Sequence, residues 1–125
     1  MLDSAGRVFL IRHSYTAGWH LPGGGVEPNE TLVAALTREL REEGNIEITL
    51  PPPLHGVFFN HGVSGRDHVA VFVVRDFRQD SAPRPNMEIT AHGFFPVEAL
   101  PEDTTAATRA RIAEIVHGKL VVSDW

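Results

Sequence analysis

Gly24-Gly25-Val26-Glu27-Pro28-Asn29-Glu30-Thr31-Leu32-Val33-Ala34-Ala35-Leu36-Thr37-Arg38-Glu39-Leu40-Arg41-Glu42-Glu43-Gly44-Asn45-Ile46 carries most of the information in this chain. From Glu30 to Glu43, the apolar residues Leu32, Val33, Leu36 and Leu40 recur at helical spacing and form one stripe. Asn29 suits the N-cap, and Glu30 suits the positive end of the helix dipole. Gly44-Asn45 is a stop, because these residue types best accept left-handed backbone. The spacing therefore predicts a helix over Glu30–Glu43.

Its last turn is unusual. Glu39 and Glu43 stand i,i+4 and Glu39 and Glu42 i,i+3, so three carboxylates share one flank at about 0.2–0.5 kcal/mol of repulsion per pair. Glu42 and Glu43 also face the negative end of the dipole, at about 0.3–1 kcal/mol each when exposed. Arg38 and Arg41 offset only part of this. A hard divalent cation would remove the conflict, since carboxylate oxygens are what Mg²⁺ and Mn²⁺ prefer; a solvated Glu/Arg face is the other reading. Upstream, Gly23-Gly24-Gly25 lets backbone approach a metal or phosphate without a Cβ in the way, or serves as a flexible turn.

Outward from this stretch, Arg7–Arg12 reads as a strand after the Ala5-Gly6 turn. Pro51-Pro52-Pro53 is a stiff spacer. Leu54–Asn60 and Asp67–Phe77 read as a hairpin around His61–Gly65. Within it, Val69–Val74 is apolar without alternation, so cover on both faces is expected. Gly93–Val97 reads as a short strand. Leu100-Pro101-Glu102-Asp103 announces a last helix through about His117, with Gly118 as its stop. Helices interleaved with strands give an α/β or α+β layered fold, and 125 residues make one domain spanning 1–125.

There is no cysteine, which excludes disulfide scaffolds, cysteine zinc sites and cysteine nucleophiles and makes a cytoplasmic protein the expectation. The N-terminus lacks a basic, apolar signal pattern, and no apolar run approaches the ~20 residues of a membrane helix. A net charge of −5 argues against broad nucleic-acid binding. It also means that an anionic substrate needs a local source of positive charge. Rival motifs fail: Pro28 occupies the third glycine position of a dinucleotide fingerprint, and there is no phosphate-loop Gly-Lys-Ser/Thr, no Gly-x-Ser-x-Gly and no His-Glu-x-x-His.

Gly24–Ile46 resembles the Nudix box, Gly-x5-Glu-x7-Arg-Glu-U-x-Glu-Glu-x-Gly-U, where U is a bulky aliphatic residue. Gly24, Glu30, Arg38, Glu39, Glu42 and Glu43 fall in register, with Leu40 and Ile46 at aliphatic places. Six such identities coincide at roughly one in ten million per window. The departure is Asn45, where the family has Gly. Trp19–Glu27 is similar to the family's lead-in, and so is the order of elements. The resemblance implies an α/β/α sandwich on a mixed β-sheet. It lacks the strand that family members usually have before Leu2-Asp3, so the first sheet position is expected to be open or filled by another chain, for example in a homodimer.

By the same resemblance, the activity is metal-dependent hydrolysis of a nucleoside diphosphate linked to another moiety, by water attack at phosphorus. A non-catalytic Nudix-fold nucleotide-binding or sensor module is the alternative. The implied cofactor is Mg²⁺ or Mn²⁺, held by the Gly23 carbonyl, Glu39, Glu42 and Glu43, which are expected to converge on one point. Arg38 is implied to orient the glutamates, and Glu30 to be structural. The general base is Glu39 or Glu42 within the helix, or Glu88 from the loop before Phe94-Phe95. Arg12, His20, Arg66 and His68 are candidates for contact with phosphate or nucleotide groups. The family's subgroup markers for ADP-ribose and dinucleoside polyphosphates are absent at His61–Ser64, so the residues leave the substrate open.

Overall fold

The computed structural model describes residues 1–84 and 86–125. Its elements are β1 (Val8–His13), β2 (Trp19–His20), α1 (Leu32–Gly44), β3 (Glu47–Ile48), β4 (Leu54–Phe59), β5 (His68–Phe72), β6 (Phe77–Arg78), β7 (Ile89–Phe95) and α2 (Ala106–His117).

β1 organises the core. Successive side chains of a strand point to opposite faces. Phe9 and Ile11 pack on one face with Leu40, Ile46 and Val74, and with Leu36 of α1. Val8 and Leu10 pack on the other with Leu2 and Ile112, and with Ile115 of α2. Alternation along one strand thus sets the two helices on opposite faces, which is the layered α/β arrangement that the sequence implies. β1 pairs antiparallel with β7, from Val8↔Phe95 through Arg12↔Ala91, and with β2 through Ile11↔His20 and Arg12↔Trp19.

The helix that carries the glutamates starts later than predicted. Thr31, not Asn29, is its N-cap, and the Thr31 hydroxyl accepts from the Ala34 N–H at 3.0 Å. Asn29 instead turns the incoming chain at φ 64°. Asn45 does close the helix, at φ 51°, donating its amide to the Arg41 and Leu40 carbonyls. Gly44 is needed for packing rather than for the cap: a Cβ there would stand 2.6 Å from Ile46 Cδ1.

Other boundaries also shift. The long strand expected over Asp67–Phe77 ends at Phe72, and Phe77-Arg78 pairs instead with Glu47-Ile48. Only Val71 and Val74 of the apolar run are buried, so the expected cover on both faces is incomplete. β7 begins four residues earlier than the predicted Gly93. α2 begins at Ala106 behind the Thr105 cap and stops at Gly118, φ 66°.

The strands fall into three groups, β2-β1-β7, β3-β6 and β4-β5, each antiparallel. Among the described residues, parallel pairing is confined to the isolated bridges Trp19↔Thr104 and Phe59↔Asp124. Met1-Leu2 links β1 to the stretch that follows β5. Leu2 donates its N–H to the Val74 carbonyl at 2.9 Å, and Phe9 donates to the Met1 carbonyl at 3.1 Å. Among the described residues, no helix is long and apolar enough to cross a membrane.

Candidate active site

The loop from Leu21 to Glu30 folds back on the last turns of α1, and Arg38 fastens it there. The Arg38 guanidinium donates to both oxygens of Glu30 at 2.9 Å, to Glu39 Oε1 at 2.8 Å and to the Gly25 carbonyl at 3.0 Å. Glu30 also accepts from the Glu27 N–H at 3.0 Å. The Arg38 hydrogen bonds, with that of Glu27, hold the Glu30 carboxyl down to about 2, and those with Glu30 and Glu39 raise Arg38 above its ordinary value. Charge-assisted, forked bonds of this kind are the strong ones. Gly24 is required by contact, since a Cβ on it would overlap the Glu39 carboxylate.

The three helix glutamates occupy different environments. Glu42 is 61% exposed, 3.7 Å from Arg38 Nη1. Glu39 is 15% exposed and held by Arg38. Glu43 is only 7% exposed and accepts from the Gly23 N–H at 2.7 Å, with His13 Nε2 at 3.8 Å. Burial pushes the Glu43 carboxyl up from 4.5 to about 8; the Gly23 bond opposes this, while Glu39, Glu88 and Glu42 add to it. Glu88, on the loop entering β7, is thereby brought into range of Glu43. Its carbonyl accepts from the Ser14 N–H at 2.8 Å, which ties that loop to the end of β1.

Convergence on one point is not observed. Among the described residues, no three acidic or histidine side chains form a ready-made cage. Glu39 is held by Arg38, Glu43 by the Gly23 amide, and Glu42 is largely exposed at the edge of Arg38. The Gly23 N–H donates to the Glu43 carboxylate. Like charges on one flank separate in this way when other donors are within reach. The donor set itself still suits a hard divalent cation: oxygen ligands only, on one flank, with a buried carboxyl whose ionisation a cation would favour.

A cavity of about 830 Å³ lies beside this flank, and Gly23–Gly25, Glu39, Arg66 and His68 are among the residues that line it. Arg66 is exposed at its rim, and His68 Nδ1 lies 3.1 Å from the Arg66 carbonyl. Arg12 is turned elsewhere: it pairs with Asp103 and lies over Trp19 at 5.9 Å. His20 is anchored through Nε2 to the Ala17 carbonyl at 2.9 Å, with its ring 5.9 Å from that of His13.

Two residues at the site went unassigned from the sequence, His13 and Tyr15. Their rings lie 4.9 Å apart, and His13 abuts Glu43. Burial and the charge of His20 lower the His13 pKa against opposing effects of Glu88 and Glu39. Burial and the charges of Glu88, Glu43 and Glu39 raise that of Tyr15. His13 was legible from strand alternation, since it continues the Phe9, Ile11 series toward α1.

A NUDIX domain profile matches residues 1–115. Diphosphoinositol polyphosphate phosphohydrolase 2 of Rattus norvegicus is 38% identical over 74 residues, 58% of this chain and 41% of that protein. RNA pyrophosphohydrolase of Halorhodospira halophila is 55% identical over 38 residues, 30% of this chain and 21% of that protein. The chain thus spans less than half the length of these curated relatives. The solved structure of a MutT NUDIX hydrolase from Burkholderia pseudomallei superposes with a TM-score of 0.77 at 27% identity, covering 92% of each chain. The chain belongs to the Nudix hydrolase family.

Proposed function

We propose that the chain is a metal-dependent pyrophosphohydrolase that cleaves a nucleoside diphosphate linked to another moiety, with water attacking phosphorus. The observation that carries this reading is the buried Glu43 carboxyl, seated on the glycine loop with Glu39, Glu42 and Glu88 around it, beside a cavity that Glu39, Arg66 and His68 also line. Such a carboxyl is costly for the fold to keep ionised, and groups of this kind concentrate at functional sites.

Glu39, Glu42, Glu43 and the Gly23 carbonyl would hold Mg²⁺ or Mn²⁺. When bound, the ion supplies neutralisation of the pyrophosphate charge and acidification of water. This is the local positive charge that an acidic protein needs for an anionic substrate. Arg38 fixes Glu39 and the loop, so the carboxylates are positioned before substrate arrives. Arg66 and His68, which line the same cavity, offer donors to the phosphate or nucleotide. Glu88 comes from a separate loop and is not among the residues that would hold the ion, which makes it our choice as proton acceptor over Glu39 and Glu42. Arg12, engaged by Asp103, contributes to the architecture around Trp19 rather than to the substrate.

The test is a panel of nucleoside triphosphates, nucleotide sugars, dinucleoside polyphosphates, a diphosphoinositol polyphosphate and 5′-triphosphate RNA, with Mg²⁺, Mn²⁺ or chelator. Phosphate or pyrophosphate release is followed. Release that needs the cation supports the reading. Tight binding of a nucleotide without turnover would replace it with a sensor module.

A further inference from the structure

Asn45 is where the helix motif departs from the Nudix box, and its side chain is put to use. At φ 51° it ends α1, which glycine would do equally well. What glycine lacks is the amide. The Asn45 amide nitrogen donates to the Ser81 carbonyl at 3.2 Å and to the Ser81 hydroxyl oxygen at 2.9 Å. Both donors of the amide thus meet acceptors of one residue, on the loop that leaves β6.

This contact ends a row of attachments between the end of α1 and the chain that leads to Glu88. Ile48 pairs with Phe77 and Glu47 with Arg78, whose guanidinium donates to the Glu47 carboxylate at 2.7 Å. Gln79 Nε2 donates to the Gly44 carbonyl at 2.7 Å. The Asn45–Ser81 contact comes next, one step nearer to Glu88, and beyond it Pro83 is buried. The far end of the loop is held separately. Asn86 Oδ1 accepts from the Glu88 and Ile89 N–H groups at 2.9 and 2.7 Å, and the Glu88 carbonyl accepts from the Ser14 N–H at 2.8 Å. These bonds fix Glu88 by its backbone, so its carboxylate stands where the loop puts it, within electrostatic range of Glu43.

We propose that Asn45 is a positioning residue: its side chain ties the Glu88 loop to the end of the helix that carries Glu39, Glu42 and Glu43, and so holds the proton acceptor at a fixed spacing from the carboxylate cluster. The tie is direct, because Asn45 follows Glu43 and Gly44 in the chain. A proton acceptor works only within hydrogen-bond reach of its proton, so a loop that drifts lowers the rate of the chemical step. Asparagine suits the position because it joins tolerance of left-handed backbone to a side-chain donor. The inference rests on the proposed function for what Glu88 does; the tie between the loop and the helix does not.

The test is Asn45→Gly, which removes the amide and keeps a residue suited to φ 51°, so α1 ends as before. Amide hydrogen exchange is followed at Ser14, Glu88 and Ile89, with Leu40 of α1 as reference. Exchange at the first three is expected to quicken about threefold or more, with Leu40 unchanged. On the best substrate of the panel with Mg²⁺, kcat is expected to fall about three- to tenfold with KM little changed. In a Glu88→Gln background, Asn45→Gly is expected to lower kcat no further, as holds for residues that act through one another. Unchanged exchange at the three amides would overturn the proposal. So would an unchanged kcat, or a fall of the same size in the Glu88→Gln background. Full turnover of Glu88→Gln alone would overturn it together with the choice of Glu88. A wild type that hydrolyses nothing on the panel would refute the proposed function instead, and the exchange result would still decide the tie.

Discussion

Glu43→Gln gives the most informative perturbation of the site. Glutamine keeps the shape of glutamate, and its Oε1 can still accept the 2.7 Å bond from the Gly23 N–H. What it removes is the ionisation. In the unfolded chain Glu43 loses its proton near 4.5, and in the fold near 8. The raised folded value makes protein stability from this group full below about pH 4.5. It falls as pH rises toward 8, because the unfolded state gives up a proton that the fold retains. At about 1.4 kcal/mol per pH unit, the ceiling is about 5 kcal/mol. Water at the mouth of the site and relaxation of the loop reduce this to about 1–3 kcal/mol. Glu43→Gln is therefore expected to match the wild type near pH 4 and to exceed it by about 1–3 kcal/mol at pH 8.5. Urea unfolding in chelator at pH 4, 6 and 8.5 measures it. A difference between the two proteins that does not change with pH would refute the reasoning. Adding Mg²⁺ at pH 8.5 is expected to raise the wild-type midpoint more than that of the variant.

The remaining predictions concern the clamp, the loop, the cap and the cavity wall. Arg38→Ala leaves Glu30 and Glu39 without their charged partner and frees the glycine loop; urea unfolding is expected to show a loss of about 1–3 kcal/mol, and Arg38→Lys to recover only part of it because the fork is gone. Gly24→Ala forces the Glu39 carboxylate aside and is expected to weaken Mn²⁺ binding in calorimetry while α1 helicity is kept. Thr31→Ala removes the hydroxyl that accepts from Ala34 and is expected to cost about 1 kcal/mol in unfolding experiments, whereas Asn29→Asp leaves that cap intact. Arg66→Ala is expected to raise KM severalfold with kcat little changed, whereas Arg12→Ala, which breaks a partly exposed pair with Asp103, costs about 1 kcal/mol or less of stability and leaves KM alone.

The site was legible where residue type alone fixes position. Glycine at 24 and the spacing of Arg38, Glu39, Glu42 and Glu43 could be read from the chain because a backbone approach and a helical turn depend only on local identity. The environments of the three glutamates could not be read. Helical spacing treats Glu42 and Glu43 alike, yet one is exposed and the other lies under the loop, a difference made by the tertiary return of Gly23. Exposed-helix arithmetic gives a few tenths of a kcal/mol for removing the Glu43 charge, and burial multiplies it. The expected N-cap went to Asn29 on residue preference, whereas the Arg38–Glu30 clamp holds Glu30 outside the helix and passes the cap to Thr31. The strand predicted through Phe77 stopped at Phe72 because pairing with Glu47-Ile48 captures Phe77-Arg78. His13 was passed over because a lone histidine at a strand end carries no motif; only its register against Phe9 and Ile11 points to Glu43.

The central claim is that the α1 carboxylates form the metal-dependent centre of a phosphoanhydride hydrolase. Its most direct test is the turnover of Glu39→Gln beside the wild type, on the best substrate of the panel at saturating Mg²⁺, normalised to folded protein by circular dichroism. Glu39 is chosen because it lines the cavity, is held by Arg38 and lies close against Gly24. The account predicts cation-dependent turnover in the wild type and a fall in kcat of about 100-fold or more in the variant, with the fold retained. Turnover in Glu39→Gln within a factor of about three of the wild type would contradict it.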